Sequence, residues 1–211
     1  MVAYWIRGSN IPKTILKAIA KVSSKFLYHG DTNSKRMHLM SWSSTTKPFS
    51  KGGLGIASLH VLKSAFNCRI ILRMYNNKNP LSSRLKSRHT SPWKPCNSFS
   101  SGFWKSVYST AILFKRNFYF QIAPDSPIDC YWDHWVLSES FSSLFPGQTH
   151  PLSCGSGCNL GNWILNGSWS LPPFLSPSIK DTIYAIPITH NCPYHITWDN
   201  NENASFKDFY N

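Results

Sequence analysis

The sequence predicts an α+β fold, with a helix-rich basic N-terminal half and a hairpin- and loop-rich C-terminal half. Three observations carry that expectation. Apolar residues recur at three- and four-residue steps in the first half. Aromatic and β-branched runs flank turn residues after position 118. The balance of charge also reverses near residue 121. Hydrophobic residues make up 42% of the 211 residues and aromatics 15%, enough to bury a core. No apolar run approaches the roughly 20 residues needed to span a bilayer. The start, Met1-Val-Ala-Tyr-Trp-Ile-Arg-Gly8, lacks the charged and apolar regions of a signal peptide. These features predict an intracellular protein, in nucleus or cytoplasm, whose six cysteines are reduced thiols.

The placement of charge says more than its total of +13. Residues 1–121 hold 20 Lys and Arg against one acid, Asp31, a net +19. Residues 122–211 hold Lys180 and Lys207 against eight acids, a net −6. A front half this basic repels itself, and a polyanion relieves the repulsion. RNA or DNA is the expected partner, with an acidic protein surface as second choice and a solvated face as the plain alternative.

The elements follow in order. Pro12 can open a helix, because its missing N–H costs nothing in the first turn. Ile15, Ile19, Val22 and Phe26 then form one stripe, and Lys13, Lys17, Lys21 and Lys25 another. At about 100° per residue the two stripes centre roughly 150° apart, so one should dock and the other meet solvent. Gly30 should end this helix. A loop with Lys35 and Arg36 leads to His38–Trp42, readable as a short strand. Lys51-Gly-Gly-Leu-Gly55 reads as a plain turn, since the phosphate-binding pattern Gly-x4-Gly-Lys-Ser/Thr is absent. A second helix is expected from about Ile56 to Tyr75, with Leu59, Leu62, Phe66 and Ile70 inward and Lys63, Arg69 and Arg73 beside them.

Residues 76–101, broken by Pro80, Pro92 and Pro95, read as a basic loop or linker. A third helix should run from Gly102 to about Lys115. Phe118–Ile122 and Ile128–Trp132 flank Ala-Pro-Asp-Ser-Pro, a hairpin signature. The rest alternates loops with a short helix near Ser178–Ile186 and ends in His195-Ile-Thr-Trp198, an Asx-rich turn and Ala204-Ser-Phe206. The expected divisions are therefore 1–75, 76–101 and 102–211.

Several chemistries can be weighed. Asp125, Asp129 and Asp133 are spaced by four, but they span the expected hairpin, where helical register does not apply. Asp133 within Trp-Asp-His-Trp is better read as fixing a local turn. Cys154, Cys158, Cys192, His190 and His195 have workable spacing for zinc, against the alternative of free thiols in loops. No metal, other cofactor or small-molecule substrate is assigned. Nine tryptophans could stack on bases. Trp5, Trp42, Trp104 and Trp132 instead lie in periodic or strand-like segments, which favours core positions.

An ordered set of short motifs adds a resemblance. Tyr4-Trp5, Ile11-Pro12-Lys13 and Phe26-Leu27-Tyr28-His29-Gly30 are followed by Ser41-Trp42 and Lys51-Gly-Gly-Leu-Gly-Ile56. Next come Phe103-Trp104-Lys105-Ser106, Tyr131-Trp132-Asp133-His134-Trp135 and Trp163–Pro172. Ile196-Thr-Trp198 and Ala204–Tyr210 close the series. The series resembles the segment that follows the polymerase core in plant LINE-type (non-LTR) retrotransposon reverse transcriptases. It departs from that pattern at Ala123-Pro-Asp-Ser126, where the family has Gly-Asn-Gly, and at Asn203-Ala204, where it has glycine. The resemblance implies a thumb-like segment over 1–75 and a connecting region over 102–211 that enters a zinc-binding segment. It also implies a non-catalytic chain, since the family's polymerase aspartates lie upstream of this region and its ribonuclease H carboxylates downstream. Sequence-independent RNA or DNA binding is then expected through Lys13, Lys17, Lys21, Lys25, Lys35, Arg36, Lys63, Arg69 and Arg73. The rival expectation is a degenerate retroelement product without activity, or a protein-interaction remnant.

Overall fold

The computed structural model describes residues 11–76, 79–146, 158–190, 196–201 and 204–209. Helices supply most of its regular structure, and two small antiparallel sheets tie distant segments together, giving an α+β fold. Helix α1 spans Lys13–His29, opened by Pro12 and closed by Gly30 at φ 68°, whose N–H bonds the Phe26 carbonyl. The left-handed conformation there is one that glycine adopts without a Cβ penalty. Helix α2 is one turn, Trp42–Thr45, with the Ser41 hydroxyl accepting from Ser44 N. The expected strand at 38–42 is thus replaced by a capped turn, because serine at an N-cap satisfies an otherwise orphan donor.

Helices α3 (Leu59–Asn76) and α5 (Gly102–Leu113) pack together as the centre of the first half. Ala65, Cys68, Ile71 and Met74 of α3 meet Trp104, Val107 and Ala111 of α5 in one buried cluster. Of the expected inward set on α3, Phe66 is buried, while Leu59, Leu62 and Ile70 are only half-buried. The helix starts three residues later than the periodicity suggested.

Residues 76–101 are not a linker throughout. Helix α4 occupies Pro80–His89, with the Asn79 side chain accepting from Ser82 N and Pro80 in the first turn. Pro92 and Trp93 behind it are buried, and Trp93 Nε1 donates to the Ala111 carbonyl at 3.0 Å. Pro80 here starts a helix and Pro92 lines a core, so the prolines do not make this stretch a loop.

Strand β1 (Phe118–Phe120) does not pair with 128–132. It pairs antiparallel with β4 (Ile196–Trp198), Phe118 opposite Trp198 and Phe120 opposite Ile196. The Asn76 amide extends this pairing: its Nδ2 donates to Ile196 O at 2.8 Å and its Oδ1 accepts from Ile196 N at 3.1 Å. The Ala123–Ser126 turn forms as expected, closed by Ser126 N to Ala123 O at 3.1 Å. The chain beyond it runs instead beside 158–160, with Cys130 N on Cys158 O and Leu160 N on Ile128 O, each 2.8 Å.

The second half has its own apolar centre. Ile128, Trp135, Val136, Leu160, Trp163 and Ile183 are buried there, and Phe120 packs against both centres. Helix α6 (Phe141–Leu144), the hairpin β2 (Ile164–Leu165) to β3 (Ser168–Trp169), and helix α7 (Pro177–Tyr184) surround it. The hairpin turns on Asn166 at φ 52° and Gly167 at φ 77°, the two positive φ values of a type I′ turn. A Cβ at Gly167 would come within 2.6 Å of the His190 ring, and the positive φ there strains any other residue. Cys130 and Cys158 are joined as a disulfide, which corrects the expectation that all six cysteines are thiols. Cys68 and Cys96 are free. Trp93, Trp104, Trp135, Trp163 and Trp198 are buried, while Trp42, Trp132 and Trp169 are half-buried; Trp5 lies outside the described residues.

Among the described residues no helix is long and apolar enough to cross a membrane.

Candidate nucleic-acid interface

Helix α1 presents the lysine stripe. Lys13, Lys17 and Lys21 are exposed and Lys25 is half-buried. Its docked face is not the expected one. Leu16 and Ser24 are buried, whereas Ile15, Val22 and Phe26 stand in solvent, Phe26 being 63% exposed. At about 100° per residue the docked line Leu16–Ala20–Ser24 centres roughly 80° from the lysine stripe. A buried serine is tolerated because its hydroxyl bonds the Lys21 carbonyl at 2.9 Å. Leu16 supplies the large apolar side chain of this line, and Ala20 between it and Ser24 is half-buried.

The loop after α1 carries Lys35 and Arg36, both exposed. It folds back on the helix end. His38 stacks on His29 with ring centroids 4.9 Å apart, and Tyr28 hydrogen-bonds Thr45. On α3, Arg69 and Arg73 are exposed. Lys63 is half-buried, and burial lowers its pKa. Eight of the nine expected cations thus lie in one α1–loop–α3 region with their charge at or near solvent. Lys63 is the least suited to a phosphate.

The reading of 76–101 as a linker hid further cations. Helix α4 carries Arg84, Lys86, Arg88 and His89. Arg84 and Arg88 are exposed. The His89 ring lies flat on Trp104, centroids 3.8 Å apart and planes 10° apart. Burial, then the neighbouring Arg88, lowers the His89 pKa. The signal for this helix was Asn79-Pro80, an N-cap followed by proline in the first turn.

The carboxylates serve other ends. Asp133 is fully buried, accepting from Tyr75 Oη and from Asp129 N, each at 2.7 Å. Asp129 Oδ1 accepts from Tyr131 N at 3.0 Å and Trp132 N at 2.9 Å. Asp125 sits exposed on its turn. The Trp-Asp-His-Trp segment is therefore a structural knot: Asp133 fixes the local turn and also ties it to α3. His134 Nε2–H donates to the Phe118 carbonyl at 2.8 Å, and burial holds its pKa down at about 4. Of the residues weighed above for zinc, Cys154, Cys192 and His195 lie outside the described residues, and Cys158 is held by Cys130. Among the described residues no three His, Cys, Asp or Glu side chains converge on a point.

Fold and surface together define an α+β segment whose basic helices face solvent and whose acids are partly locked in the interior. No family model and no solved structure matches the chain. It is similar to a protein of Arabidopsis thaliana named "Putative ribonuclease H protein", 24% identical over 167 residues. That match takes in 75% of this chain and 27% of the relative, so the chain corresponds to about a quarter of the relative's length.

Proposed function

We propose that this chain is a non-catalytic segment derived from a LINE-type retrotransposon reverse transcriptase, and that it binds RNA or DNA by charge without sequence preference. The observation that carries the proposal is the solvent-facing stripe of Lys13, Lys17 and Lys21, continued by Lys25, in a half whose only acid is Asp31. Helical rise sets these lysines about 6 Å apart, close to the spacing of successive phosphates on an extended strand. The ordered motifs of the sequence and the plant relative support the retroelement origin. The burial of Asp133, and the use of Asp129 to hold a turn, support the absence of chemistry.

Replacing all four lysines with glutamine keeps helix propensity high. Each phosphate neutralised contributes about 0.7–0.9 units of slope in log affinity against log salt. The variant should lose affinity for RNA and DNA alike and flatten that slope by about three units. An unchanged slope in a folded variant would make the stripe a solvated face only.

A second reading rests on a different face. Ile15, Val22 and Phe26 are exposed side by side on α1, which favours a protein-interaction remnant. A reversible self- or partner-association abolished by Val22→Lys would support it.

A further inference from the structure

Between α4 and the loop that leads into α5 lies a groove of about 550 Å³, lined by Leu81, Arg84, Arg88, His89, Phe99 and Phe103 among others. Its volume falls within the roughly 300–1,000 Å³ of small-ligand sites. Its chemistry is unusual for a surface. Phe99 is 94% exposed and Leu81 66% exposed, yet both stand beside two guanidinium groups. The loop holding Phe99 is fixed: Lys105 Nζ donates to Ser98 O at 3.1 Å, and Ser100 Oγ to Asn97 Oδ1 at 2.8 Å. The ring is therefore held out in water by an ordered turn.

Cations in the last turn of a helix stabilise it through the helix dipole. That accounts for Arg88 and His89 at the end of α4. It does not account for Arg84 one turn earlier, or for an unpaired aromatic face beside them. Among the described residues no acid lines the groove, and burial together with Arg88 favours the neutral His89 ring, which can accept or donate one hydrogen bond. A ligand with a flat apolar face and a negatively charged backbone matches each of these parts.

We infer that this groove is a subsite for single-stranded nucleic acid, with one unpaired base stacked on Phe99 and the flanking phosphates on Arg84 and Arg88. The inference rests on the nucleic-acid reading above and deepens it: the lysine stripe serves any phosphate backbone, whereas this groove requires an unstacked base. A duplex cannot use it, because its bases are already stacked on one another.

The test measures binding of labelled oligouridylate, and of a duplex of the same length, to the full chain by fluorescence anisotropy. Phe99→Ala should weaken single-strand binding about tenfold, the order that one stacked base supplies, and leave duplex binding unchanged. Phe99→Trp should restore it. The Arg84→Gln/Arg88→Gln pair should flatten the single-strand salt slope by about 1.4 units. Wild-type affinity in Phe99→Ala, or an equal loss on both ligands, overturns the subsite. If the wild-type protein binds neither ligand, the charge-based function falls with it. If it binds with a stripe-dependent slope that ignores Phe99, only the subsite falls.

Discussion

Lys86 Nζ stands 3.6 Å from Asp133 Oδ2, across 47 residues of chain, at a point where neither charged group reaches water. The ammonium also sits 4.0 Å above the Tyr75 ring, whose hydroxyl donates to the same carboxyl. The lysine stem grazes solvent while its nitrogen does not. Burial outweighs mutual attraction for both partners. It lowers the Lys86 pKa and pushes Asp133 up to about 6. The pair pins α4 and the Trp-Asp-His-Trp knot to the end of α3, joining the basic half to the acidic one.

A double-mutant cycle should expose this coupling. Lys86→Met alone leaves a buried carboxylate without its counter-charge, and the loss should reach about 3–5 kcal/mol. Asp133→Asn alone leaves the ammonium in the same position. The double variant removes both charges yet keeps an oxygen for Tyr75, so it should be more stable than the sum of the singles implies, by about 0.5–3 kcal/mol. Urea unfolding of the four proteins measures it. Strict additivity would mean that the two groups do not interact.

The pH dependence has two opposing parts. Asp133 has its folded pKa raised to about 6 from 3.8, so the folded state holds its proton more tightly. Its contribution to stability is full below about 3.8 and is lost as pH rises through 6. His134 is depressed from 6.5 to about 4 by burial, so its contribution is full above 6.5 and is lost as pH falls through 4. Between pH 4 and 6 the two partly cancel. Relative to wild type, Asp133→Asn should therefore lose stability as pH is lowered from 7 to 4. His134→Gln, which keeps a donor for the Phe118 carbonyl, should gain over the same range. Denaturation midpoints collected across that range check both signs.

Cys130 and Cys158 have Cα atoms 5.5 Å apart and are separated by 28 residues. Closing a loop of this length stabilises a chain by about 2–4 kcal/mol, chiefly by restricting the unfolded state. Reduction, or the Cys130→Ala/Cys158→Ala pair, should lower stability by that amount. The flanking backbone bonds of Cys130 and Leu160 should persist, since they do not involve sulfur. Peptide mapping after alkylation should find Cys68 and Cys96 modified once the chain is unfolded, and Cys130 joined to Cys158 until reductant is added. In a reducing compartment the two would instead stay as neighbouring thiols.

Local signals made the helices legible. Pro12 and Gly30 bracket α1, and apolar residues at helical spacing mark α3 and α5. The sheet was not legible, because β1 finds its partner 76 to 80 residues away and no local pattern encodes that distance. The hairpin reading recognised a true turn at Ala123–Ser126 but assigned the wrong partner to the strand before it. Helix α4 escaped because its serines, lysine and arginines carry no apolar stripe; its place is set by Asn79, Pro80 and the buried Lys86. The same omission hid Arg84, Arg88 and Phe99 from the candidate site. Charge, by contrast, was readable at once, because solvated cations need no tertiary context to face outward. On α1, Lys13, Lys17 and Lys21 face solvent as their spacing implies, but the helix docks through Leu16 and Ser24 and not through the richer apolar stripe of Ile15, Val22 and Phe26.

The contact between α3 and α5 holds one polar residue with a testable role. Asn67 is buried, and its Nδ2 lies 3.1 Å from both Ser106 O and Ser106 Oγ and 2.9 Å from Thr110 Oγ1. An amide nitrogen has two protons, so it can serve two of these three acceptors at a time. Thr110 Oγ1 itself donates to Ser106 O at 2.9 Å, so the three side chains form one network. Asn67→Ala should cost about 1–3 kcal/mol, because it deletes the donor and leaves a void against α5. Asn67→Asp should cost more, since it buries a charge and sets a carboxylate oxygen against the Ser106 carbonyl with no proton between them. Asn67→Leu paired with Thr110→Val should approach wild-type stability, because both polar partners leave together. Thermal unfolding that ranks the variants Asp below Ala below the Leu/Val pair would show that the node positions the two helices through matched polarity; an Asp variant as stable as Asn would show that water reaches the contact.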